Sequence, residues 1–390
     1  MSAKGPPRMT TTLEHPVSTT ARPAATTAVG GILDIAQQGH GSLRSTGGHP
    51  APGDVQVPAA LIRRYGLRKG DVVEGACERP RALSAVARVN GLPPQSLRGR
   101  PHFRDLTPLH PRQRLHLETP SGGASTRIVD LVAPIGKGQR GLIVAPPRTG
   151  KTVLLQQIAA AVAENHPESH LMVVLLDERP EEVTDMRRSV RGEVYASTFD
   201  RPAKEHIALA ELALQRAKRL VEQGRDVVML LDSLTRLCRA HNNAAGNGGR
   251  TLSGGVDAAA LLGPKRLFGA ARLTEEGGSL TILATALVDT GSRADEYFFE
   301  ELKGTGNMEL RLDRSLAEKR IHPAVNIAAS GTRRDELLVP ADELAAVRGL
   351  RRALHSRDAQ TSLETLLDRI RNTGDNAAFL RLIRTTVPSA

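Results

Sequence analysis

The feature that most constrains the fold is the segment GLIVAPPRTGKTVL at residues 141–154, in which a TGKT tetrapeptide joins two apolar runs. It matches the phosphate-binding pattern G-x-x-x-x-G-K-[ST], except that Ala145 replaces the first glycine. When a strand leads through such a loop into a helix, backbone N–H groups and the positive end of the helix surround the phosphates. The segment therefore predicts a nucleotide-binding loop in which Lys151 neutralises phosphate oxygens and Thr152 ligates Mg²⁺.

Apolar runs of strand length alternate with helical stretches from about residue 129 to residue 329. The runs GLIVA, LMVVLL, EVYAST, DVVMLLD and SLTILATAL have no polar face, which is typical of parallel strands covered on both sides by helices. Asp232 ends one of these runs, and Glu178 follows another. Because ligands bind at the carboxyl edge of such sheets, we predict that Asp232 holds Mg²⁺ and that Glu178 is the base. Asp177 is the alternative base.

Residue composition and hydrophobic pattern divide the chain into four predicted segments. Residues 1–29 are rich in Thr, Pro and Ala, and predict a disordered tail. Short apolar alternations separated by Gly/Pro turns at 30–104 predict a small five-stranded barrel of the oligonucleotide-binding type. We predict that residues 105–130 form a linker. Residues 131–390 are predicted to form an α/β ATPase core that ends in helices.

The charge balance favours a polyanionic partner. The formal net charge is +11, which suits nucleic acid, although an arginine-rich composition alone can also produce it. The two cysteines, Cys77 and Cys238, do not form a disulfide framework, and no apolar run approaches the roughly 18 residues that span a bilayer. We expect a cytoplasmic protein that does not enter a membrane.

The motifs from residue 136 onward closely resemble those of the bacterial transcription termination factor Rho family. They include, in order, LDERPEEVTDM, LLDSLTRLCRA, LSGGVDA, DTGSRADE, KGTGNMEL and EKRIHP. Alanine at position 145 is usual in that family. The resemblance implies a RecA-like P-loop core, ATP and Mg²⁺ as cofactors, and RNA-dependent ATPase and helicase activity. It also implies a homohexamer that binds single-stranded RNA and acts on RNA polymerase.

The resemblance also implies which residues serve the nucleotide. The implied nucleotide contacts are Gly136, Lys137, Gly138, Gln139, Arg140, Gly141, Arg148, Thr149, Gly150, Lys151, Thr152, Val153, Arg179, Asp232 and His322. Glu178 is the implied catalytic base, and Arg333 with Arg320 is implied to reach a neighbouring subunit's site. His322 stands where the family usually has a phenylalanine beside the adenine, so we expect weaker contact with the base.

Two central loops and one face of the barrel are implied to bind RNA. The central-loop residues are Arg250, Thr251, Ser253, Gly254 and Arg293. The barrel residues are Gly39, His40, Gly41, Ser42, Leu43, Arg44, Asp54, Val55, Gln56, Arg81, Ala82 and Leu83. The family's barrel carries aromatic residues where this chain has His40, Ser42, Gln56 and Leu83.

Loss of these aromatic residues predicts a weakened primary RNA site, because each base stacked on an aromatic ring contributes ~1–3 kcal/mol. The cations that remain are Arg44, Arg63, Arg64, Arg68, Lys69, Arg79 and Arg81. They favour salt-sensitive phosphate binding with little sequence preference.

Two other functions share some of these features. A rotary ATPase subunit would have the same core, but not LSGGVDA together with DTGSRADE and a preceding barrel. An inactive paralogue that modulates a ring would explain the altered barrel. An active motor is favoured over an inactive paralogue, because the chain contains the complete predicted set Lys151, Thr152, Glu178, Asp232 and Arg333.

Overall fold

The computed structural model describes residues 27–45, 47–120, 123–245, 251–355 and 357–386. Most of the predicted tail, residues 1–26, therefore lies outside the described residues. The rest folds as a closed barrel followed by a sheet between two layers of helices.

The barrel is formed by five short strands. They are β1 (Thr27–Ile35), β2 (Gly41–Arg44), β3 (Val55–Val57), β4 (Val72–Arg79) and β5 (Ala82–Val89), and helix α1 (Ala59–Tyr65) follows β3. The strands close in the order β1-β2-β3-β5-β4. Alternate apolar side chains point inward, as a small barrel requires, and Leu33, Val73 and Val89 are fully buried there.

The remaining strands are β6 (Pro108–Leu109), β7 (Arg114–Leu115), β8 (Ile135–Gly136), β9 (Arg140–Ala145), β10 (His170–Glu178), β11 (Glu193–Thr198), β12 (Asp226–Asp232), β13 (Thr251–Leu252), β14 (Val256–Asp257), β15 (Arg272–Thr274), β16 (Ser279–Leu287), β17 (Met308–Arg311) and β18 (Gly331–Thr332). The remaining α-helices are α2 (Ala124–Val132), α3 (Lys151–Asn165), α4 (Pro180–Ser189), α5 (Ala203–Val221), α6 (Leu234–Ala244), α7 (Leu262–Phe268), α8 (Arg293–Lys303), α9 (Arg314–Glu318), α10 (Ala341–His355), α11 (Ala359–Arg371) and α12 (Asn376–Thr386).

The central sheet has the order β11-β10-β12-β16-β9-β17-β18. All neighbours from β11 to β17 are parallel, and only β18 is antiparallel within this path. Successive residues of β10 enter opposite cores: Val173 packs with α3, whereas Met172 packs with α5. The predicted α/β class with a preceding barrel is thus confirmed. Within the described residues, no helix is long and apolar enough to cross a membrane.

The segment predicted as a linker at 105–130 is instead built into the core. Strand β6 pairs with β15, β7 pairs with β8, and α2 packs against α3. The physical reason is burial, because Leu115, Leu117 and Ile128 are each at most 1 % exposed.

The barrel docks on α5 through a buried carboxylate. The side chain of Glu222 is fully buried, and its oxygens lie 2.9 Å from Arg68 Nη1 and 2.7 Å from Arg219 Nη2. The backbone N–H of Phe103 donates to the same carboxylate at 2.8 Å. Removing one partner from such a buried group leaves an uncompensated charge, so these contacts hold the barrel in one position.

Close backbone contact at Gly70 adds a steric requirement. Gly70 has a φ of +90°, and a Cβ there would lie 2.4 Å from the carbonyl carbon of Gln215 in α5. Gly66 also has a positive φ, +59°, but a Cβ there would meet nothing within 4 Å. A substitution at Gly66 therefore tests backbone strain alone, whereas a substitution at Gly70 tests backbone strain together with the contact between barrel and core.

We predict that Gly70→Ala destabilises the protein much more than Gly66→Ala. Left-handed backbone alone costs a non-glycine residue about 1–2 kcal/mol, which both variants share. The clash with α5 should add about 2 kcal/mol or more in Gly70→Ala, in the range of overpacked sites. Urea unfolding of the two variants beside the parent protein measures the difference. Equal unfolding free energies for the two variants would contradict the described docking.

Candidate nucleotide and RNA sites

The phosphate-binding loop lies at the carboxyl edge of the central sheet. Strand β9 ends at Ala145, and α3 begins at Lys151, so residues 146–150 form the loop between them. Gly150 has a φ of +87° at the start of α3, a conformation that glycine adopts without strain. The Thr149 hydroxyl donates to the Pro146 carbonyl at 2.8 Å, which closes the loop on itself.

Two buried carboxylates face the loop lysine. Lys151 Nζ lies 2.6 Å from Asp232 Oδ1 and 3.2 Å from Glu178 Oε1. Both carboxylates come from the ends of parallel strands, β12 and β10, and their side chains are at most 3 % exposed. The hydroxyl of Thr285, in neighbouring β16, donates to Asp232 Oδ1 at 2.8 Å. Thr285 is not among the site residues predicted from the sequence, although a polar residue near the end of an apolar run can indicate such a position.

Burial and charge shift the proton affinities in this cluster. Burial, and next the Asp232 carboxylate, raise the pKa of Glu178, although Lys151 and Arg236 oppose them. Burial would lower the pKa of Lys151, but the two carboxylates outweigh it and raise that pKa. The cluster therefore combines a charged ammonium with a carboxylate of increased proton affinity.

Asp177, the alternative base, is more exposed than Glu178 and lies farther from the nearby cations. Its side chain is 36 % exposed, and Arg236 Nη1 lies 3.8 Å from its carboxylate. Glu178 Oε1 instead lies within 3.3 Å of both Lys151 and Arg236. The geometry favours Glu178 as the residue that acts on a molecule held by the loop.

Helix α6 joins this cluster to the second predicted RNA loop. Arg236 on α6 contacts Glu178, and Arg239, one turn later, contacts Asp295 at 2.5 and 2.9 Å. Asp295 lies in the first turn of α8, two residues after the predicted RNA contact Arg293. The same helix thus contacts both the sheet edge that holds Glu178 and the helix that begins at the predicted RNA loop.

Oxygen donors that suit a hard divalent cation are present at the loop. The Thr152 hydroxyl lies 3.3 Å from Glu182 Oε2, and the buried Asp232 carboxylate contacts Lys151, the residue before Thr152. Within the described part of the chain, no group of three His, Cys, Asp or Glu residues is arranged as a complete metal site. These donors therefore fit a cation that also takes oxygens from a nucleotide.

A cleft of about 590 Å³ opens beside the loop and continues along α3. Its walls include Val153, which is 56 % exposed, and the imidazole of His322. A Cβ on Gly150 would lie 3.8 Å from His322 Nδ1, so the imidazole stands close to the loop. Arg148 and Arg179 are exposed around this edge, and Arg179 lies 3.7 Å from Glu182.

Residues 136–141 do not lie at this edge. They precede or begin β9, and the four residue steps from Gly141 to Ala145 span about 13 Å. Lys137 Nζ is bound instead by Asp226 at 2.7 Å and Glu168 at 3.1 Å. The prediction that residues 136–141 surround the nucleotide of their own chain therefore needs correction, because the strand direction carries them to the opposite edge.

Arg333 lies at that opposite edge as well. Strand β18 pairs Thr332 with Met308 at the beginning of β17, and Arg333 shares a small cleft with Arg140. Burial, followed by the charges of Arg272 and Arg333, lowers the pKa of Arg140, so this edge concentrates positive charge. Arg320 is separated from it, because it follows α9 beyond the carboxyl end of β17, where it is exposed.

The two predicted central loops meet. A Cβ on Gly254 would lie 3.0 Å from the carbonyl of Arg293, and Arg293 itself is exposed. Arg250 lies outside the described residues, as do the side chains of Thr251 and Ser253.

The barrel face differs from the prediction in two ways. Leu43 and Leu83 are 3 % and 2 % exposed inside the barrel, so their side chains are not available to RNA. Arg44 lies 2.8 Å from Asp34 and 2.5 Å from Asp54, so its charge is neutralised within the barrel. The predictions for these three side chains need correction, because alternation directs the leucines inward and two carboxylates hold the arginine.

The outer surface of the predicted face is polar. The Ser42 hydroxyl donates to Gln56 Oε1 at 3.3 Å, and His40 and Arg81 are exposed. Gly39 and Arg81 have φ values of +81° and +61° at turns, Gly41 is buried, and Val55 and Ala82 are half-buried.

Neither aromatic residue between residues 27 and 104 belongs to the predicted RNA-binding face. Phe103 is 5 % exposed, between Lys218 and Arg272 at the junction with the core. Tyr65 lies on α1 and packs against the interior cluster of the barrel. This part of the chain therefore offers RNA bases fewer aromatic rings for stacking than the family's barrel, which carries aromatic residues on this face.

The free cations are fewer than the sequence suggests. Arg68 is held by Glu222, and Lys69 lies 3.1 Å from Asp34. The exposed cations of the barrel are Arg63, Arg64, Arg79, Arg81 and Arg88.

Comparison with known proteins agrees with this two-part arrangement. Residues 29–95 match the Rho termination factor RNA-binding domain, and residues 125–332 match the nucleotide-binding domain of the ATP synthase alpha/beta family. Two solved ATPases of type III secretion systems share the fold. One is a prototypical ATPase from pathogenic bacteria (TM-score 0.61, 21 % identity, 73 % of this chain and 87 % of the other). The other is the assembled ATPase of enteropathogenic E. coli (TM-score 0.60, 21 %, 72 % and 73 %).

Curated relatives are much more similar in sequence. The transcription termination factor Rho of Streptomyces coelicolor is 68 % identical over 381 residues, which cover 98 % of this chain and 91 % of the relative. That of Streptomyces lividans is 60 % identical over 93 % of this chain and 52 % of the relative. That of Mycobacterium tuberculosis is 54 % identical over 93 % and 62 %. The chain therefore belongs to the family of the transcription termination factor Rho.

Proposed function

We propose that this protein is an RNA-dependent ATPase that moves along RNA as a ring of six copies and releases nascent transcripts from RNA polymerase. The observation that carries the proposal is the convergence of Lys151, Glu178 and Asp232 at the carboxyl edge of the sheet. The barrel and the paired loops at Gly254 and Arg293 supply surfaces for RNA.

Hydrolysis follows from the charges around the loop. Lys151 stays protonated because its pKa is raised, so it neutralises the β- and γ-phosphate oxygens of ATP. Glu178 accepts the proton of the attacking water, and its raised pKa makes it the stronger base. Arg236 contacts the same carboxylate oxygen and holds its orientation.

Thr152 and Asp232 would hold Mg²⁺ together with the phosphate oxygens. Both offer the hard oxygen donors that this ion prefers. When bound, the ion supplies charge neutralisation for the triphosphate.

Arg333 completes the site of a neighbouring copy. Within one chain it lies at the sheet edge opposite the phosphate-binding loop, so it does not reach its own nucleotide. A head-to-tail arrangement brings that edge, with Arg140, against the loop of the next copy. Residues 136–141 would then approach a nucleotide as well, but one that the neighbour holds.

The barrel contributes weak and unselective RNA contacts. Within the described part of the barrel, the predicted face contains no aromatic residue, and Arg44 is already paired. An inactive paralogue would also suit this barrel, but the buried cluster around Lys151 favours an active motor.

Replacing Glu178 with Gln should abolish RNA-stimulated hydrolysis and leave nucleotide binding in place. Loss of a general base lowers the rate typically by 10²–10⁴-fold, whereas the amide keeps the shape of the side chain. Phosphate release with and without RNA, beside equilibrium ATP binding, measures both effects. As the pH is lowered, the hydrolysis rate of the parent protein should begin to fall at a pH above the usual pKa range of glutamate. Protonation of Glu178 removes the base, and its pKa is raised. Full activity of the variant, or absence of any hydrolysis in the parent protein, would refute the proposal.

Mixing two inactive variants should restore hydrolysis. Glu178→Gln keeps Arg333, and Arg333→Ala keeps Glu178, so rings formed from both contain some complete composite sites. Each variant alone should be inactive, and activity should appear only after dissociation and joint reassembly. Mixing Glu178→Gln with Lys151→Ala is the control, since neither copy then offers a complete site. No recovery in the first mixture would exclude action of Arg333 on a neighbour.

RNA stimulation should depend little on base identity and strongly on salt. Phosphate contacts dominate when stacking is absent, and their affinity falls steeply as salt rises. Poly(C), poly(U) and mixed-sequence RNA should therefore stimulate hydrolysis to similar extents. Arg81→Ala should weaken RNA binding more than Arg44→Ala, because Arg44 is already neutralised. A strong preference for poly(C) would overturn this interpretation of the barrel.

A further inference from the structure

The cleft beside the phosphate-binding loop contains a cation that the family resemblance did not assign. Arg371, the last residue of α11, lines the cleft together with His322 and Gln157. The side chain of Arg371 is exposed, and within the described part of the chain it makes no hydrogen bond or ion pair. An unpaired guanidinium at a nucleotide cleft is therefore available to a ligand.

The position of Arg371 is fixed by a buried arginine. Arg127, which is 7 % exposed, donates from Nη1 to the carbonyls of Ile370 and Thr373, each at 2.8 Å. Arg127 belongs to α2, whose first residues, Ala124 and Ser125, form another wall of the same cleft. The end of α11 is thus tied to the helix that borders the cleft, which limits where the Arg371 side chain can reach.

The part of the cleft that contains Gln157 lies beyond the reach of the phosphates. Gln157 follows Lys151 by six residues on α3, which corresponds to about 9 Å along the helix. The walls nearby are largely apolar, with Val153, Leu154 and Ala324 among them. These walls suit a nucleobase rather than a further phosphate group.

The polar groups around that space differ in what they can distinguish. The Gln157 amide and the Ser125 hydroxyl can each donate and accept hydrogen bonds, so they accommodate either purine. Arg371 can only donate. Guanine presents two acceptors, O6 and N7, to a guanidinium fork, whereas adenine presents the N6 amino donor beside N7.

We propose that Arg371 recognises guanine in this cleft and raises the affinity of the motor for GTP relative to ATP. The proposal deepens the proposed function and rests on it, because the cleft is the base-binding part of the same nucleotide site. Arg371 acts as a specificity-determining residue and takes no part in the hydrolytic step.

The test compares ATP and GTP in the full-length parent protein, Arg371→Ala, Arg371→Lys and the control Arg369→Ala. Arg369 lies two residues earlier on α11 and does not line the cleft. In Arg371→Ala the KM for GTP should rise about five- to tenfold, as expected for loss of a partly exposed bidentate base contact, with kcat unchanged. The KM for ATP should change by less than about twofold, since adenine offers one acceptor on that edge.

Arg371→Lys distinguishes a guanidinium fork from a positive charge. Lysine keeps the charge but not the planar pair of donors, so the KM for GTP should rise in this variant too. Equal changes for ATP and GTP, no change in Arg371→Ala, or parent-like behaviour of Arg371→Lys would each overturn guanine recognition.

Equilibrium binding of fluorescent GDP and ADP to the same four proteins separates this inference from the proposed function. If RNA stimulates no hydrolysis with either nucleotide, the proposed motor fails, and the binding ratio alone still decides the role of Arg371. A GDP preference that is lost in Arg371→Ala but kept in Arg369→Ala supports the inference. The same ratio in all four proteins refutes it.

Discussion

The contact of Lys151 with two buried carboxylates is the interaction on which the functional arrangement depends. It requires that β9, β10 and β12 run parallel and end at one edge, because only then do the loop, Glu178 and Asp232 converge. Burial is costly for each charge alone, so the cluster is stable only as a set. The same burial raises the pKa of Glu178, so the packing that forms the sheet also increases the proton affinity of the proposed base.

The sequence predicted this edge well because its determinants are local. Continuous apolar runs indicate parallel strands, and the residue that ends each run must lie at the shared edge. The cleft was less predictable, since it depends on contacts distant in sequence. Arg127 meets Ile370 across 243 residues, and no local pattern indicates that Arg371 then borders the nucleotide site. Thr285 lies between these cases, as a polar residue within an apolar strand.

The barrel shows a different limit of sequence interpretation. Alternation predicted short strands, but the side of the strand on which a residue lies depends on register, and a shift of one residue inverts every side chain. Leu83 therefore faces the interior although the resemblance places it at the RNA surface. The number of cationic residues is an equally incomplete guide to the charge of the barrel surface. Asp34 and Asp54 neutralise Arg44, and Glu222 holds Arg68. The solvent-facing surface of the barrel is therefore less positively charged than its arginine and lysine count suggests.

The direction of the sheet agrees with the proposal that one chain alone does not form a complete hydrolytic site. The carboxylates and the loop lysine occupy one edge, whereas Arg140, Arg272 and Arg333 concentrate positive charge at the other. There burial, followed by the charges of Arg272 and Arg333, lowers the pKa of Arg140. An anion would relieve this charge, and in the proposed ring a nucleotide held by the next copy would supply one. Head-to-tail contacts of this kind generate rings when the rotation closes. The polarity of a single parallel sheet thus favours a cyclic assembly in which every nucleotide lies between two copies.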